Sequence, residues 1–231
     1  MTIVFPDLTV PAGAGDGVYP PQHDSRLLID ALRTSGLAPG RRIADLCTGS
    51  GVVAVAAAAM GARDVSAFDI CPVAVTAARA NATAVGVRID VVLGSWTRAH
   101  ECLPFDVIVA NPPYMPVVPG ADTERIPVSA GPAQAWNAGP AGRMILDPLC
   151  DSVAELLTEG GTLLLVQSEF ADIDRTLMRL RGTGLAADVV VSEFVRFGPV
   201  VRARAQWLEC TGRLAAGRRA EELVVIRADK S

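Results

Sequence analysis

Short apolar runs alternate along this chain with segments whose apolar residues recur at helical spacing. Residues 43–47 and 105–110 are apolar along most of their length, which is typical of strands buried on both faces. Residues 52–60 and 73–85 have helical character, and each is followed by a glycine that can end a helix. The alternation predicts an α/β fold with a mostly parallel sheet and helices on both faces.

The rest of the chain continues this pattern. Further helices are predicted over 24–35, 144–157, 171–181 and 203–216, and further strands over 64–69, 88–93, 162–167, 187–195 and 222–227. Asp24 or Ser25 is the expected N-cap of the 24–35 helix. Residues 1–22 are rich in Pro and Gly, which is typical of an extended arm. Together with the helix at 24–35, this arm is expected to make residues 1–35 a cover over the functional site. Residues 36–231 would then form the main domain.

Composition excludes several classes of function. A chain of 231 residues that is 50% hydrophobic can bury a large single-domain core. Its net charge of −4 argues against broad binding of nucleic acid, and no apolar run is long enough for a membrane span. The N-terminus lacks the basic region and following apolar stretch that a signal peptide has. The five cysteines are scattered and lack metal-ligand spacing, so we expect reduced thiols in the cytoplasm and no metal site.

Asn111-Pro112-Pro113-Tyr114 directly follows the apolar run 105–110. An amide or exocyclic amine nitrogen is a weak nucleophile because its lone pair is delocalised. The Asn111 side-chain oxygen and the Pro112 carbonyl can accept both hydrogens of such a nitrogen and orient it. Two successive prolines fix φ and remove backbone donors, and the Tyr114 ring can stack on a planar group. The segment therefore predicts an acceptor site for a planar nitrogen.

Asp45-Leu46-Cys47-Thr48-Gly49-Ser50-Gly51 ends the strand predicted at 43–47. Ligands of parallel sheets bind at the carboxyl ends of the strands, and Gly49 and Gly51 would permit close approach and a tight turn. Asp45 is expected to order this loop or to face the amino group of the ligand. Asp69 ends the next strand and can accept both hydroxyls of a ribose. A nucleoside site beside a planar-nitrogen site indicates methyl transfer from S-adenosylmethionine (SAM) to nitrogen.

Three segments together, 45–51, 69–74 and 111–114, resemble the HemK-like family of class I SAM-dependent methyltransferases. Those enzymes methylate the side-chain amide of glutamine in translation release factors. The resemblance extends roughly from residue 18 to residue 227 and is strongest to the short branch, which lacks an N-terminal helical domain. It implies a Rossmann-like fold with a mostly parallel seven-stranded sheet, helices on both faces and an antiparallel C-terminal strand.

The resemblance also implies roles for individual residues. Asn111, Pro112 and Tyr114 would form the catalytic site. The residues assigned to SAM are Asp45, Thr48, Gly49, Gly51, Asp69, Ile70, Ser95, Trp96 and Asn111, with Asp69 on the ribose and the two glycines along the methionine portion. Ser95 stands where the family often has an acid that faces the adenine amino group, and Trp96 would flank the ring.

Residues 115–141 form a long proline-rich loop, which we expect to face the substrate. The family's Gly-Gly-x-Asp-Gly is replaced here by Ala138-Gly139-Pro140-Ala141-Gly142, which leaves room for a specialised substrate.

Four functions remain open. The first acceptor is the side-chain amide of a glutamine in a protein such as a release factor. The second is a small-molecule amide, amidine, guanidine or amine. Adenine N6 in RNA or DNA is disfavoured by the acidic composition, and a non-catalytic binding subunit by the intact Asn-Pro-Pro-Tyr segment. A small partner subunit is compatible with the first function.

Several other residues have a structural interpretation beside a functional one. His23 would lie over the cofactor pocket or on the surface, and Trp136 would contact the substrate or pack in the interior. Cys47 is expected to pack rather than act as a nucleophile. A basic cluster near the C-terminus, Arg202, Arg204, Arg213, Arg218 and Arg219, is expected to be a solvated helix face.

Overall fold

The computed structural model describes residues 2–5, 8–11, 17–102, 104–118, 120 and 126–231, with backbone alone for the first two segments. Its helices are α1 His23–Ser35, α2 Val52–Ala59, α3 Pro72–Val85, α4 Leu146–Leu156, α5 Ile173–Gly182 and α6 Pro199–Cys210. Its strands are β1 Thr2–Phe5, β2 Leu8–Pro11, β3 Arg42–Leu46, β4 Asp64–Asp69, β5 Asp90–Leu93, β6 Phe105–Ala110, β7 Leu157–Ser168, β8 Ala186–Arg196 and β9 Ala220–Asp229.

Seven strands form one sheet in the order β5-β4-β3-β6-β7-β9-β8. β9 is antiparallel to both of its neighbours, while the other pairings in the sheet are parallel. β1 and β2 form a separate antiparallel pair. The predicted fold class, including the antiparallel C-terminal strand, is confirmed.

The order of the strands places a switch point between β3 and β6. From β3 the chain runs outward through β4 to β5, then crosses back to β6 on the other side of β3. Leu46 is in register with Ala110, so both strands end at the same level. The segments 47–51 and 111–114 therefore emerge side by side, as the positions of ligand sites in such sheets require.

Helices cover both faces of the sheet because its central strands are buried on both faces. One apolar core packs α1, α2 and α3 against one face, and a second packs α4 and α5 against the other. A third cluster joins the 115–141 loop to α6 through Met115, Trp136, Val200 and Val201.

Some element boundaries differ from the sequence predictions. The N-cap of α1 is Gln22, and Asp24 and Ser25 are buried in the first turn, so neither of them is the cap. α6 begins at Pro199, earlier than the predicted residue 203, because proline is favoured in the first turn of a helix. β7 begins at Leu157 rather than residue 162. Of the arm predicted at 1–22, residues 1, 6–7 and 12–16 lie outside the described residues.

Candidate active site

A cavity of about 430 Å³ lies at the carboxyl ends of β3, β4 and β6. Its volume falls in the range of small-molecule sites, and it lies at the switch point of the sheet. The sequence-predicted residues that line it are Asp45, Thr48, Gly49, Asp69, Ile70, Ser95, Trp96 and Asn111. We call it the larger cavity.

The loop after β3 is ordered by the buried carboxylate of Asp45. Its Oδ2 accepts hydrogen bonds from Thr48 Oγ1 at 2.6 Å and from the Ala54 amide at 3.0 Å. Burial raises the pKa of Asp45 to about 7, against the lowering effect of these two bonds. Of the two roles expected for Asp45, the ordering of the loop is the one with contacts in the structure.

Gly51 has a different role from Gly49. Both have positive φ, 77° and 55° respectively, which favours glycine. A Cβ on Gly51 would lie 2.7 Å from the Cβ of Ala78, so this glycine allows α2 and α3 to approach each other. Gly51 was expected to line the cofactor site, but it is absent from the residues that line the larger cavity.

Asp69 connects the first two strand ends of the site. Its Oδ2 accepts from the Gly49 amide at 2.8 Å, and its Oδ1 accepts from the Cys71 amide at 2.9 Å. Burial raises the pKa of Asp69, and these backbone bonds oppose the shift. A carboxylate has about four acceptor sites, so Asp69 can still accept from a ribose hydroxyl.

Apolar and polar groups after β4 and β5 complete the wall. Ile70 is 66% exposed, whereas Trp96 is buried against the second core. Ser95 begins a short 3-10 helix, and its hydroxyl accepts from the Thr97 amide at 3.3 Å. An apolar side chain, an indole and a hydroxyl around one wall fit a purine ring with one polar edge.

A second, smaller cavity of about 80 Å³ lies on the other side of the Asn-Pro-Pro-Tyr segment. It is lined by all four residues of that segment, and Asn111 lines the larger cavity as well. Among the described residues, neither Asn111 Oδ1 nor the Pro112 carbonyl accepts a hydrogen bond. The segment thus presents two free acceptors near the junction of the cavities.

Asp24 organises this junction. Its Oδ2 accepts from the Tyr114 hydroxyl at 3.0 Å and from the Tyr19 hydroxyl at 3.4 Å. Its Oδ1 accepts from the amide of Ser25 at 2.6 Å. Burial, followed by the charge of Asp24, raises the pKa of both tyrosines, so both remain donors. The sequence prediction missed this network, because it assigned Asp24 and Ser25 to helix capping.

A second buried acid, Glu221 on β9, also lines the smaller cavity. Its Oε2 accepts from Ser168 Oγ at 2.7 Å. Burial, with further contributions from Asp24 and Glu169, raises the pKa of Glu221 to about 7. Glu221 precedes the continuous apolar run 223–226 of β9, and such a run carries no local signal for this role.

The 115–141 loop packs on α6 through Arg204, which is 1% exposed. Arg204 donates to the Pro116 carbonyl at 2.6 Å and to Asn137 Oδ1 at 2.8 Å, and its guanidinium lies 4.8 Å from the ring centre of Trp136. The prediction that Arg204 lies on a solvated helix face is therefore wrong. Residues 119 and 121–125 of the loop lie outside the described residues.

The remaining candidates divide as follows. His23 is exposed at the start of α1 and lines the smaller cavity rather than the larger one. Trp136 is buried and lines the smaller cavity, so it packs and also faces the predicted acceptor side. Burial raises the pKa of the Cys47 thiol, which agrees with packing rather than nucleophilic attack. Within the described residues, no cluster of His, Cys, Asp and Glu is suited to a metal ion.

The residues present fit SAM. The larger cavity offers Asp69 to ribose hydroxyls, an apolar wall to a purine, and the carboxylates of Asp45 and Asp69 to a cationic ligand. Gly49 has open space where a Cβ would stand, so a ligand can approach its backbone closely.

Comparisons with known proteins identify methyltransferases among the relatives of this chain. The family model described as ribosomal protein L11 methyltransferase (PrmA) matches residues 23–113. A Methanocaldococcus jannaschii protein assigned to the protein N5-glutamine methyltransferases is 30% identical over 172 residues, which cover 74% of this chain and 83% of that protein. The release factor glutamine methyltransferase of Mycolicibacterium smegmatis is 32% identical over 166 residues, covering 69% of this chain and 57% of that enzyme. The chain thus spans most of the archaeal relative but little more than half of the mycobacterial one.

Solved structures show the same fold. The E. cuniculi Mtq2–Trm112 complex, described as responsible for methylation of the translation termination factor eRF1, matches with a TM-score of 0.61 and 21% identity. That match covers 93% of this chain and 99% of the other. A T. thermophilus 16S rRNA N2 G1207 methyltransferase in complex with AdoMet and guanosine matches with a TM-score of 0.60 and 16% identity, covering 100% of this chain and 50% of that one.

No helix of the described residues has the length and apolar character to cross a membrane.

Proposed function

Because the chain belongs to the HemK-like family of class I SAM-dependent N-methyltransferases, we propose that it methylates the side-chain amide of a glutamine in a protein, with a translation release factor as substrate. The cofactor is SAM. Both relatives described above carry glutamine methyltransferase in their names, which supports this acceptor.

One observation supports the proposal most directly: two free acceptors stand where the two cavities meet. Asn111 borders both cavities, and Pro112 borders the smaller one. The side-chain oxygen of Asn111 and the carbonyl of Pro112 match the two N–H groups of a primary amide. A glutamine amide held there would lie between the cofactor side and the substrate side.

Each residue then has a defined task. SAM, when bound, supplies an activated methyl group on a sulfonium. Asn111 Oδ1 and the Pro112 carbonyl accept the amide hydrogens, orient the nitrogen and stabilise the positive charge that develops on it. Tyr114, fixed by Asp24, forms a wall beside the amide. Asp69 holds the ribose, and Asp45 keeps the glycine loop in shape.

The smaller cavity is also lined by Trp136, whose indole can donate a hydrogen bond to a substrate. The Trp136 indole N–H is buried and has no partner among the described residues. A buried donor without a partner costs about 1–3 kcal/mol, which a carbonyl from a substrate backbone would offset. We therefore place the chain around the acceptor glutamine beside Trp136, with the 115–141 loop as the substrate-facing element and residues 1–35 as the arm and helix over the site.

The experiment is mass spectrometry with deuterated SAM. The purified chain is incubated with release factors from its own source and, separately, with the low-mass fraction of the same cell extract. We expect a trideuteromethyl group on a glutamine of a release factor. Label in the low-mass fraction alone would favour the small-molecule alternative and contradict the proposal.

The variant Asn111→Ala tests the acceptor site directly. Loss of one contact that strengthens in the transition state typically costs about 10²–10³ in turnover. We expect that loss with an unchanged melting temperature, and with a much smaller loss in the affinity for S-adenosylhomocysteine, measured by calorimetry. Wild-type turnover in this variant would refute the assignment of the acceptor site.

We also propose a cytoplasmic location and a small partner subunit. The five cysteines are free, which supports a reducing compartment. The E. cuniculi structure is a complex with Trm112, which supports a partner. Pull-down of the tagged chain from its own cells, followed by activity assays with and without the captured protein, tests the partner.

A further inference from the structure

Asn111 can serve an amide substrate only if its oxygen, rather than its NH₂ group, faces the substrate. The two orientations of a side-chain amide have nearly the same shape, so packing alone discriminates between them weakly. We propose that Ser25, anchored by Asp24, is a positioning residue that fixes the orientation of the Asn111 amide. The catalytic consequence rests on the proposed function, whereas the orientation itself does not.

The contacts form a chain from α1 to the strand end. Asn111 Nδ2 lies 3.4 Å from Ser25 Oγ, and Ser25 Oγ lies 3.3 Å from Asp24 Oδ1. Ser25 and Asp24 are each 4% exposed, so water competes little for these bonds. Both are long hydrogen bonds, and bonds of this kind often tighten only in the substrate complex.

The direction of the hydrogen bonds follows from Asp24. A carboxylate only accepts, so Ser25 Oγ must donate its single proton to Asp24. Ser25 Oγ is then left with acceptor capacity alone toward Asn111. The NH₂ group of Asn111 satisfies that acceptor, and Oδ1 is turned away from Ser25 and left free for the substrate.

The same carboxylate fixes Tyr114. Its hydroxyl donates to Asp24 Oδ2, while Ser25 uses Oδ1. Both the amide and the ring of the Asn-Pro-Pro-Tyr segment are therefore oriented by the first turn of α1. This explains why two polar residues are buried there although neither caps the helix.

The first test needs no substrate. In ¹⁵N spectra of the full chain, the side-chain NH₂ pair of Asn111 is assigned by its absence in Asn111→Ala. We expect Ser25→Ala to shift this pair and to speed its hydrogen exchange, and Ser25→Thr, which keeps the hydroxyl, to restore both. Ser35→Ala is the control: Ser35 is in the same helix, but among the described residues its hydroxyl bonds only to the Leu32 carbonyl. An Asn111 pair that is unchanged in Ser25→Ala would overturn the inference.

The second test is kinetic. Loss of one neutral hydrogen bond corresponds to roughly a tenfold fall, so we expect kcat of Ser25→Ala to fall about tenfold with little change in KM. Ser25→Thr should recover most of the activity. In an Asn111→Ala background, Ser25→Ala should have no further effect, because the two residues act as a unit. Additive losses would show that Ser25 acts elsewhere and would overturn the inference.

The two proposals fail in different ways. If the wild-type chain does not methylate release factors, the proposed function fails, and the spectroscopic test still decides the role of Ser25. If release factors are methylated but the Asn111 NH₂ signals are unchanged in Ser25→Ala, only the inference about Ser25 fails. If Ser25→Ala does not fold, Ser25→Cys replaces it, because sulfur is a weaker acceptor and should give an intermediate shift.

Discussion

At the scale of single residues, the carboxylate of Asp69 both holds the backbone around the site and remains available to a ligand. Its carboxylate holds the amides of Gly49 and Cys71, and its remaining acceptor sites face the larger cavity. We expect Asp69→Ala to weaken the binding of S-adenosylhomocysteine by about 2–4 kcal/mol, because charged hydrogen bonds contribute about 1.5–3 kcal/mol each and are not additive. Asp69→Asn should lose less, since it keeps one acceptor oxygen. Calorimetry measures both, and unchanged affinity in Asp69→Ala would remove Asp69 from the site.

The residue scale also includes glycine-like backbone geometry at Cys47, which is not a glycine. Its φ is 63°, a left-handed value that is rare for residues with a Cβ. It sits between the buried Leu46 and the loop ordered by Asp45, so the turn into the cofactor loop imposes this conformation. No feature of the sequence alone predicts it, because cysteine is an ordinary strand residue.

At the scale of elements, α6 and the 115–141 loop form one unit. We expect Arg204→Met to destabilise the protein by about 2–4 kcal/mol, because the Pro116 carbonyl and the Asn137 amide would lose a charged donor. The loop should become more sensitive to protease. Denaturant unfolding and limited proteolysis measure the effect.

Arg202→Met is the control for that prediction. Arg202 is exposed on the same helix and bonds to the Phe197 carbonyl. It should therefore change stability by about 0.5 kcal/mol or less, as exposed surface positions do. Equal losses in the two variants would mean that the buried contacts of Arg204 do not hold the loop.

At the scale of the whole molecule, buried acids make stability depend on pH. Burial raises the pKa of Asp45 and of Glu221 to about 7, while unfolded carboxyls titrate near pH 4. Between about pH 4 and pH 7 the folded protein thus binds more protons than the unfolded chain, so stability should fall as pH rises through this window.

Glu221→Gln isolates one of these groups. Its raised pKa corresponds to at most about 3 kcal/mol of destabilisation above pH 7. We expect the variant to melt near the wild-type temperature at pH 4 and above it at pH 8, although Asp24, Glu169 and Arg218 remain around the site. Glu193→Gln, at an exposed position of β8, should leave the pH profile unchanged. A difference that does not grow with pH would show that Glu221 titrates normally.

The sequence by itself determined the elements and most of the ligand-facing loops. Strand and helix periods are local properties, and so are the glycines after β3 and the prolines after β6. Because parallel strands end at one edge of a sheet, placing Asp45, Asp69 and Asn111 at strand ends was enough to predict that they meet. The resemblance of these segments to one family added the cofactor and the acceptor.

Only the tertiary structure decided which distant side chains support that site. Ser25 and Asn111 are 86 positions apart, Asp24 and Tyr114 are 90 apart, and Arg204 and Pro116 are 88 apart. Ser25, Asp24 and Arg204 have the local pattern of helix caps or of a solvated helix face, because sequence patterns report the period of an element and not the partner it will face. Burial in the folded chain removed water from them and left their protein partners as the means of satisfying their hydrogen bonds.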